Sequence, residues 1–237
     1  MDEVRVAREG SSRGPDDRDG TIELELLRRG HWFGSLPAAL QALIVQRSYP
    51  RVYAKGAHIV CEGAPCNALR AVLHGRVHVV RGVGEATESL FHVGEAGFWF
   101  GEYGMLSGEP AIASVVAATA VRVLALPAAE FECIVADEPR HFRSFARLLF
   151  DRYATVFHYA TDAHSVEAEE WVRLRLEGLA GMRRLDGPDS GPVEITASQA
   201  ELATMVGVTR QRLSVLLGRL QARGLIDVGY RKIRVLR

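Results

Sequence analysis

The sequence predicts a mixed α+β fold built in three successive parts: a β-roll or jelly roll, a long helix and a winged helix-turn-helix. Three observations carry that reading. Short β runs punctuated by glycine fill the chain from about Tyr49 to Leu126, a helical apolar seam follows Pro139, and two helix starts flank Gly207. The resulting division is a flexible tail over 1–20, a β-roll over 21–136, a long helix over 137–165 and a winged helix-turn-helix over 166–237.

The first 20 residues are charged and rich in Gly, Ser, Asp and Arg, without apolar periodicity, so they read as a tail. A helix is expected after Ser35-Leu36-Pro37, with Ser35 as cap, Pro37 in the first turn, and Leu40, Leu43 and Ile44 inward. Strands are expected at His58–Val60, Leu69–Leu73, Val77–Val80, Ser89–Val93, Ser114–Ala118 and Val121–Leu126. Gly63, Gly75, Gly82, Gly84, Gly94, Gly97 and Gly108 supply the turns between them. Strands this short and this regularly spaced suit a small roll whose interior can house a ligand.

Pro127 ends the roll, and Ala128–Val135 reads as a short helix. Asp137-Glu138-Pro139 then has the acids and proline that favour the start of a long one. Phe142, Phe145, Leu149, Tyr153, Val156 and Ala160 recur mostly at three- and four-residue intervals, as in a dimer seam. The competing reading packs that stripe against its own domain. Trp171, Leu174, Leu176 and Leu179 mark a further helix, and 183–192 a Gly/Pro/Asp loop.

Thr196 with Gln199 has the form of a capping box, and Leu202, Ala203 and Val206 follow as a helical stripe. Gly207 supplies a left-handed turn, and Thr209 caps a second helix with Leu213, Leu216, Leu217 and Leu220 on one face. Gln211, Ser214, Val215 and Gly218 lie opposite, with Arg210 and Arg212 at the N-terminal turn. Small, polar and cationic groups at the start of a helix suit a DNA major groove, although an amphipathic helical hairpin with a solvated face has the same pattern. Leu225–Val228 and Lys232–Val235 around Gly229-Tyr230 read as the wing, with Arg231 and Lys232 placed for phosphates.

Net charge is zero overall, but its distribution is uneven. From Thr196 onward Arg210, Arg212, Arg219, Arg223, Arg231, Lys232, Arg234 and Arg237 face only Glu201 and Asp227, as expected of a basic DNA-binding module on an acidic partner. Lys55 and Lys232 are the only lysines. Hydrophobic residues at 48% allow packed cores, and no run is long and apolar enough to span a membrane. Without a signal-peptide core or a disulfide-like cysteine pattern, a cytoplasmic protein is expected.

A roll, a long helix and a winged helix in that order resemble the Crp/Fnr superfamily of bacterial transcription regulators over about residues 21–237. Phe100-Gly101-Glu102-Tyr103-Gly104-Met105-Leu106-Ser107-Gly108 is similar to the family's F-G-E-x-G-L-L-x-G signature. Val208-Thr209-Arg210-Gln211 resembles the start of its recognition helix, and Leu220–Ile226 its L-x-x-x-G-L-I ending. The resemblance implies a homodimer on a palindromic operator, with half-sites about 34 Å apart, working with RNA polymerase. It implies ligand-pocket candidates at Phe100, Gly101, Glu102, Tyr103, Ala111 and Ile112.

Departures from the family pattern bear on the effector. In cyclic-nucleotide-binding members the glutamate of G-E holds the ribose and an Arg-Ser pair holds the cyclic phosphate. Glu102 is present, but the Arg-Ser positions read Ala111-Ile112, which offer neither guanidinium nor hydroxyl. Control by cyclic AMP in the usual way is therefore not expected, and Glu102 is read as a cap for the helix after Gly101. An iron–sulfur cluster needs four cysteines and the chain has three, Cys61, Cys66 and Cys133. Cys61 and Cys66 are read as structural rather than redox-active, and Cys133 as a helix-face core residue. His74, His78 and His92 lie in strand regions but are not expected to hold haem or metal, since Gly101 stands near where a haem-sensing relative has its ligand. Phe98, Trp99, Phe100 and Tyr103 could line a pocket or simply fill the core, leaving an apolar small-molecule effector or none. No cofactor is expected.

The recognition positions depart too. Where the family's best-known member reads its half-site with Arg-Glu and a further Arg, this chain has Arg210, Gln211 and Val215. Arg210 suits guanine, Gln211 adenine and Val215 a thymine methyl. A sensor whose winged helix contacts protein rather than DNA is the alternative. An enzyme is not expected, because no nucleophile–base pair, metal-ligand spacing or phosphate loop is found.

Overall fold

The computed structural model describes residues 25–28, 30–83, 87–162, 167–183, 192–230 and 232–236. The expected tail, Gly84, Arg231 and most of the 183–192 loop lie outside them. Within that loop, Arg183 ends a helix instead.

Strands β1 (Tyr49–Tyr53), β2 (His58–Val60), β3 (Ala68–His74), β4 (Val77–Val83), β5 (Thr87–Gly94), β6 (Trp99–Phe100), β7 (Ser114–Ala117) and β8 (Val121–Pro127) form the roll. They pair antiparallel as β1 with β8, β2 with β7, β3 with β6 and β4 with β5. The further pairs β3–β8 and β4–β7 complete two four-stranded sheets. Such nesting is a long hairpin folded over on itself, the jelly roll expected from the strand spacing.

Strand β3 shows how the roll is held. Leu69, Ala71 and Leu73 turn to a helical layer containing Phe33, Leu40, Ile44, Phe131 and Phe145. Val72, facing the other way, joins Phe100, Val77, Val115, Val121 and Val123 between the sheets. Covered on both faces, β3 is an uninterrupted buried run ending at exposed His74. Strand β1 escapes the sequence pattern because Pro50 interrupts it. Among the described residues it pairs only with β8, as an edge strand, where a missing N–H is tolerated. Gly82 lies inside β4 rather than at a turn.

A short helix, α1 (His31–Ser35), precedes the helix expected after Ser35-Leu36-Pro37, which is α2 (Ala38–Gln46) with Pro37 as its N-cap. Ser35 caps neither N-terminus: it closes α1, and its Oγ donates to the Trp32 carbonyl at 2.7 Å. Buried Gln41 bridges the two by donating from Nε2 to the Phe33 and Leu36 carbonyls, each at 3.0 Å. Helix α3 (Glu102–Ser107) follows β6, and α4 (Ala128–Asp137) follows β8.

The long helix α5 (His141–Asp162) begins later than expected, because Asp137 ends α4 and Glu138 is its C-cap. Its apolar stripe divides. Phe145 is 1% exposed, packed edge-on to Phe131 at 4.9 Å and near Trp32 at 6.0 Å, so it belongs to its own chain's core and not to a seam. Phe142, Phe150, Tyr153, Val156 and Phe157 remain exposed, and Leu149 is half-buried. Ala160 lies in α5, but its surroundings are outside the described residues.

Helix α6 (Ala168–Arg183), strand β9 (Val193–Thr196), helices α7 (Gln199–Val206) and α8 (Arg210–Ala222), and strands β10 (Ile226–Gly229) and β11 (Lys232–Val235) form the last module. The sheet order is β10-β11-β9, so the wing has a third strand. Val172, Leu176 and Leu179 of α6 pack with Leu202, Leu213, Leu216, Leu217 and Leu220 in a core that continues into the roll through Val80, Leu90 and Val93. Leu174 is only half-buried.

Candidate nucleic-acid interface

The capping register of α7 differs from the one the sequence suggests. Thr196 is held extended in β9 opposite Lys232, so it cannot cap. Ser198 is the N-cap: its Oγ accepts from the Glu201 N–H at 3.2 Å, and Glu201 Oε2 accepts from the Ser198 N–H at 2.6 Å. Both Thr196-x-x-Gln199 and Ser198-x-x-Glu201 satisfy the capping-box pattern, and only the sheet chooses between them. Glu201 Oε1 also lies 2.9 Å from His78 Nε2 of β4, tying the module to the roll. Burial would raise the Glu201 carboxyl, but the Ser198 N–H and hydroxyl, His78 and the charge of Arg76 together hold it below the ordinary glutamate value.

Gly207 closes α7 at φ 76°, where its N–H reaches the Ala203 carbonyl at 2.9 Å. A side chain at that φ would be strained, so glycine permits the sharp turn into α8. Trp171 Nε1 donates to the Val206 carbonyl at 2.9 Å and fastens the same turn to α6. Thr209 caps α8, accepting from the Arg212 N–H at 3.3 Å.

Leu213, Leu216, Leu217 and Leu220 anchor α8, leaving Arg210, Gln211, Arg212, Ser214 and Val215 exposed together along its outer face and first turn. Val215, 58% exposed, is an apolar residue presented to solvent by a helix whose other large apolar residues are buried. Lys232 is exposed at the start of β11. Some of the expected positive charge is spent internally. Arg223 pairs with Glu169 at 2.8 Å, Arg219 approaches the same carboxylate at 3.8 Å, and Lys232 pairs with Glu194 at 2.7 Å.

In the roll, the pocket candidates meet a different environment from the one expected. Glu102 starts α3 without capping it. Its carboxylate, 3.0 Å from Arg152 Nε of α5, makes a close charge contact instead. That N–H is not aligned for a hydrogen bond, and Arg152 Nε has no other partner among the described residues. The Arg152 guanidinium also donates from Nη2 to the Trp99 carbonyl and lies over the Phe98 ring, 4.4 Å from its centroid. Arg152 is far from Glu102 in sequence, and no local pattern points to the pair.

Phe100 is buried between the sheets, Trp99 faces the helical layer, and Tyr103 is half-buried beside Glu102. Gly101 sits at φ 96° over the Ala68 carbonyl and Cys66. The Ala111 N–H and carbonyl are both taken by the loop before β3, pairing with Ala64 at 2.9 Å and Gly63 at 2.7 Å. Ile112 is 59% exposed. A second guanidinium, Arg70, is buried on the roll-facing side of β3, with Nη1 on the Ala68 carbonyl at 2.9 Å and Nη2 on Asn67 Oδ1 at 2.7 Å. Cys66 Sγ contacts the Gly101 carbonyl at 3.1 Å, whereas Cys61 is exposed. Cys133 is also exposed, not part of a core as expected, because Phe131 and Ile134 take the inward face of α4. His74 is exposed, His78 meets Glu201, and His92 is buried against Phe98 at 4.7 Å.

A jelly roll, a long helix and a winged helix-turn-helix thus follow one another along the chain. Residues 50–138 match the cyclic nucleotide-binding domain, and residues 173–237 match the Crp-like helix-turn-helix domain. With both domains in this order, the chain belongs to the Crp/Fnr superfamily of transcription regulators. It is 26% identical over 203 residues to a CRP-like cAMP-activated global transcriptional regulator of Mycobacterium tuberculosis, covering 85% of this chain and 89% of that protein. A cyclic nucleotide-gated potassium channel of Mesorhizobium japonicum is 32% identical over 120 residues, 51% of this chain and 32% of that one. Among solved structures, FixK2 from Bradyrhizobium japonicum superposes with a TM-score of 0.66 at 20% identity, covering 80% of this chain and 92% of that one.

Proposed function

We propose that the protein is a homodimeric, sequence-specific DNA-binding transcription regulator that acts in the cytoplasm with RNA polymerase on a two-fold operator. The observation that carries this reading is α8: capped by Thr209, anchored by four buried leucines, and presenting Arg210, Gln211, Ser214 and Val215 outward. In this reading the N-terminal half of α8 enters the major groove, Arg210 donates to a guanine edge, Gln211 bridges an adenine and Val215 meets a thymine methyl. The wing cations take phosphates. The exposed stripe of α5 supplies the second copy needed to read a palindrome.

The regulator is not switched by cyclic AMP held in the manner the name of its mycobacterial relative suggests. Ala111 and Ile112 give a cyclic phosphate no charged partner, and Arg152 already occupies Glu102. Titration calorimetry of the full chain with cyclic AMP is expected to give no saturable heat; micromolar binding would overturn this part alone.

DNA binding is tested by selecting duplexes from a random pool and repeating mobility shifts over a salt series. Affinity should fall steeply with salt, and Arg210→Ala should cost about 1–3 kcal/mol while relaxing one base position in each half-site. Flat salt dependence, or no selected sequence, would instead favour a winged helix that contacts protein.

A further inference from the structure

The chain has only two lysines, and both line one cleft of about 610 Å³ between the roll and the wing. Lys55 comes from the β1–β2 turn and Lys232 from the start of β11; Arg76, Thr119, Thr196 and Tyr230 complete the polar lining. That volume lies within the usual range for a small-ligand site. In a protein whose other cations are all arginine, the meeting of both compact, rotatable ammonium groups on one concavity is a specific arrangement.

Electrostatics point the same way. Lys232 already has a carboxylate, that of Glu194 at 2.7 Å, and Arg76 feels the charge of Glu201 without an ion-pair contact to it. Lys55 is exposed and makes no ion pair among the described residues. The cleft therefore gathers three cations and one directly paired acid.

The roll wall is stiff. The Arg76 N–H donates to Thr119 Oγ1 at 2.9 Å, and its carbonyl accepts from the Ala118 N–H at 2.9 Å. Gly75 beside it, at φ 88°, lets the two turns close so far that a Cβ would come within 2.2 Å of the Ala120 carbonyl oxygen. Arg76 is thus presented from a fixed backbone, an arrangement that lowers the ordering cost of gripping an anion.

We propose that this cleft binds a small phosphorylated ligand, up to the size of a nucleotide, and that the bound ligand ties the wing to the roll. Arg76 offers a planar fork for two phosphate oxygens, the lysines act as point charges from either side, and the Tyr230 hydroxyl is available at the rim. None of its lining residues is among the candidates around Glu102, so it would give the regulator an effector input that does not depend on Ala111 or Ile112.

Phosphate could also reach these cations as the backbone of DNA flanking an operator, and the experiment separates the two sources. Inorganic pyrophosphate is titrated into the DNA-free full chain by calorimetry, for the wild type, for Lys55→Gln/Arg76→Gln and for Arg210→Ala. Saturable wild-type binding is expected, weakened roughly 30-fold or more in the double variant and unchanged in Arg210→Ala. Absent wild-type binding, or equal binding by the double variant, overturns the proposal. So does a double variant that loses salt dependence only on long operator fragments while pyrophosphate fails to bind, because the cations then serve flanking DNA. Thermal melts without ligand check folding. If the double variant melts early, Lys55→Gln alone replaces it, with at least a fivefold weakening as the expected result; unchanged binding overturns the proposal. The calorimetric arm needs no operator, so its outcome is independent of the DNA-binding reading.

Discussion

Tyr153→Glu separates the two faces of α5. Tyr153 is 64% exposed and flanked by Phe150 at 66%, Val156 at 57% and Phe157 at 52%, a run of apolar groups left in water by the single chain. Fully burying a large apolar side chain is worth about 1.5–3 kcal/mol, so covering the exposed two-thirds of Tyr153 contributes about 1–2 kcal/mol. In the proposed homodimer a two-fold axis repeats the contact, giving about 2–4 kcal/mol per dimer, and a carboxylate placed there adds a desolvation cost. The dimer dissociation constant should rise roughly 100-fold or more. Sedimentation velocity across a dilution series measures it, while the fold of each monomer should change by no more than about 0.5 kcal/mol. Phe145→Ala is the contrast. At 1% exposure within the Trp32–Phe131 cluster, it should cost about 3–5 kcal/mol of folding stability. An unchanged dissociation constant in Tyr153→Glu would refute the assignment of this face to a partner copy. An unchanged melting curve in Phe145→Ala would refute the division of the stripe.

Other consequences follow from the same contacts. Gly75→Ala should cost about 2 kcal/mol or more, read by chemical denaturation, since φ is 88° and the added carbon meets the Ala120 carbonyl oxygen at 2.2 Å. Glu201→Gln keeps the form of the capping box but removes its charge. Because the folded carboxyl titrates below its ordinary value of 4.5, its stabilisation is present above that pH and lost as pH falls through the depressed value. The melting temperatures of wild type and Glu201→Gln should therefore differ at neutral pH and converge as the pH falls through that depressed value; a constant gap would show that charge is not the cause. Ser198→Ala should cost about 0.5–2 kcal/mol, whereas Thr196→Ala should not cost a cap, which thermal melts of the two can separate.

Much of the architecture is legible in the chain itself, for a local reason. Glycine at turns, alternation in strands and three- or four-residue spacing in helices act over a few residues, so the roll, α5, the helix-turn-helix and the wing can all be read from neighbours along the sequence. The outward face of α8 is equally legible, because four leucines at helical spacing decide which side Arg210, Gln211 and Val215 must occupy.

What local pattern could not decide was which of two compatible arrangements long-range contacts select. Thr196 and Ser198 both head a capping-box pattern, and pairing of Thr196 with Lys232 in the wing sheet leaves the cap to Ser198. Phe145 and Tyr153 lie on one apolar stripe, yet Trp32 and Phe131 claim only Phe145. Glu102 could have capped its own helix, but Arg152 arrives from α5 to neutralise it. Lys55 and Lys232 are 177 residues apart in the sequence and meet only when the wing lies against the roll. Periodicity determines which side of an element is apolar; charge pairing and burial between distant segments depend on positions in space that only the packed tertiary structure supplies.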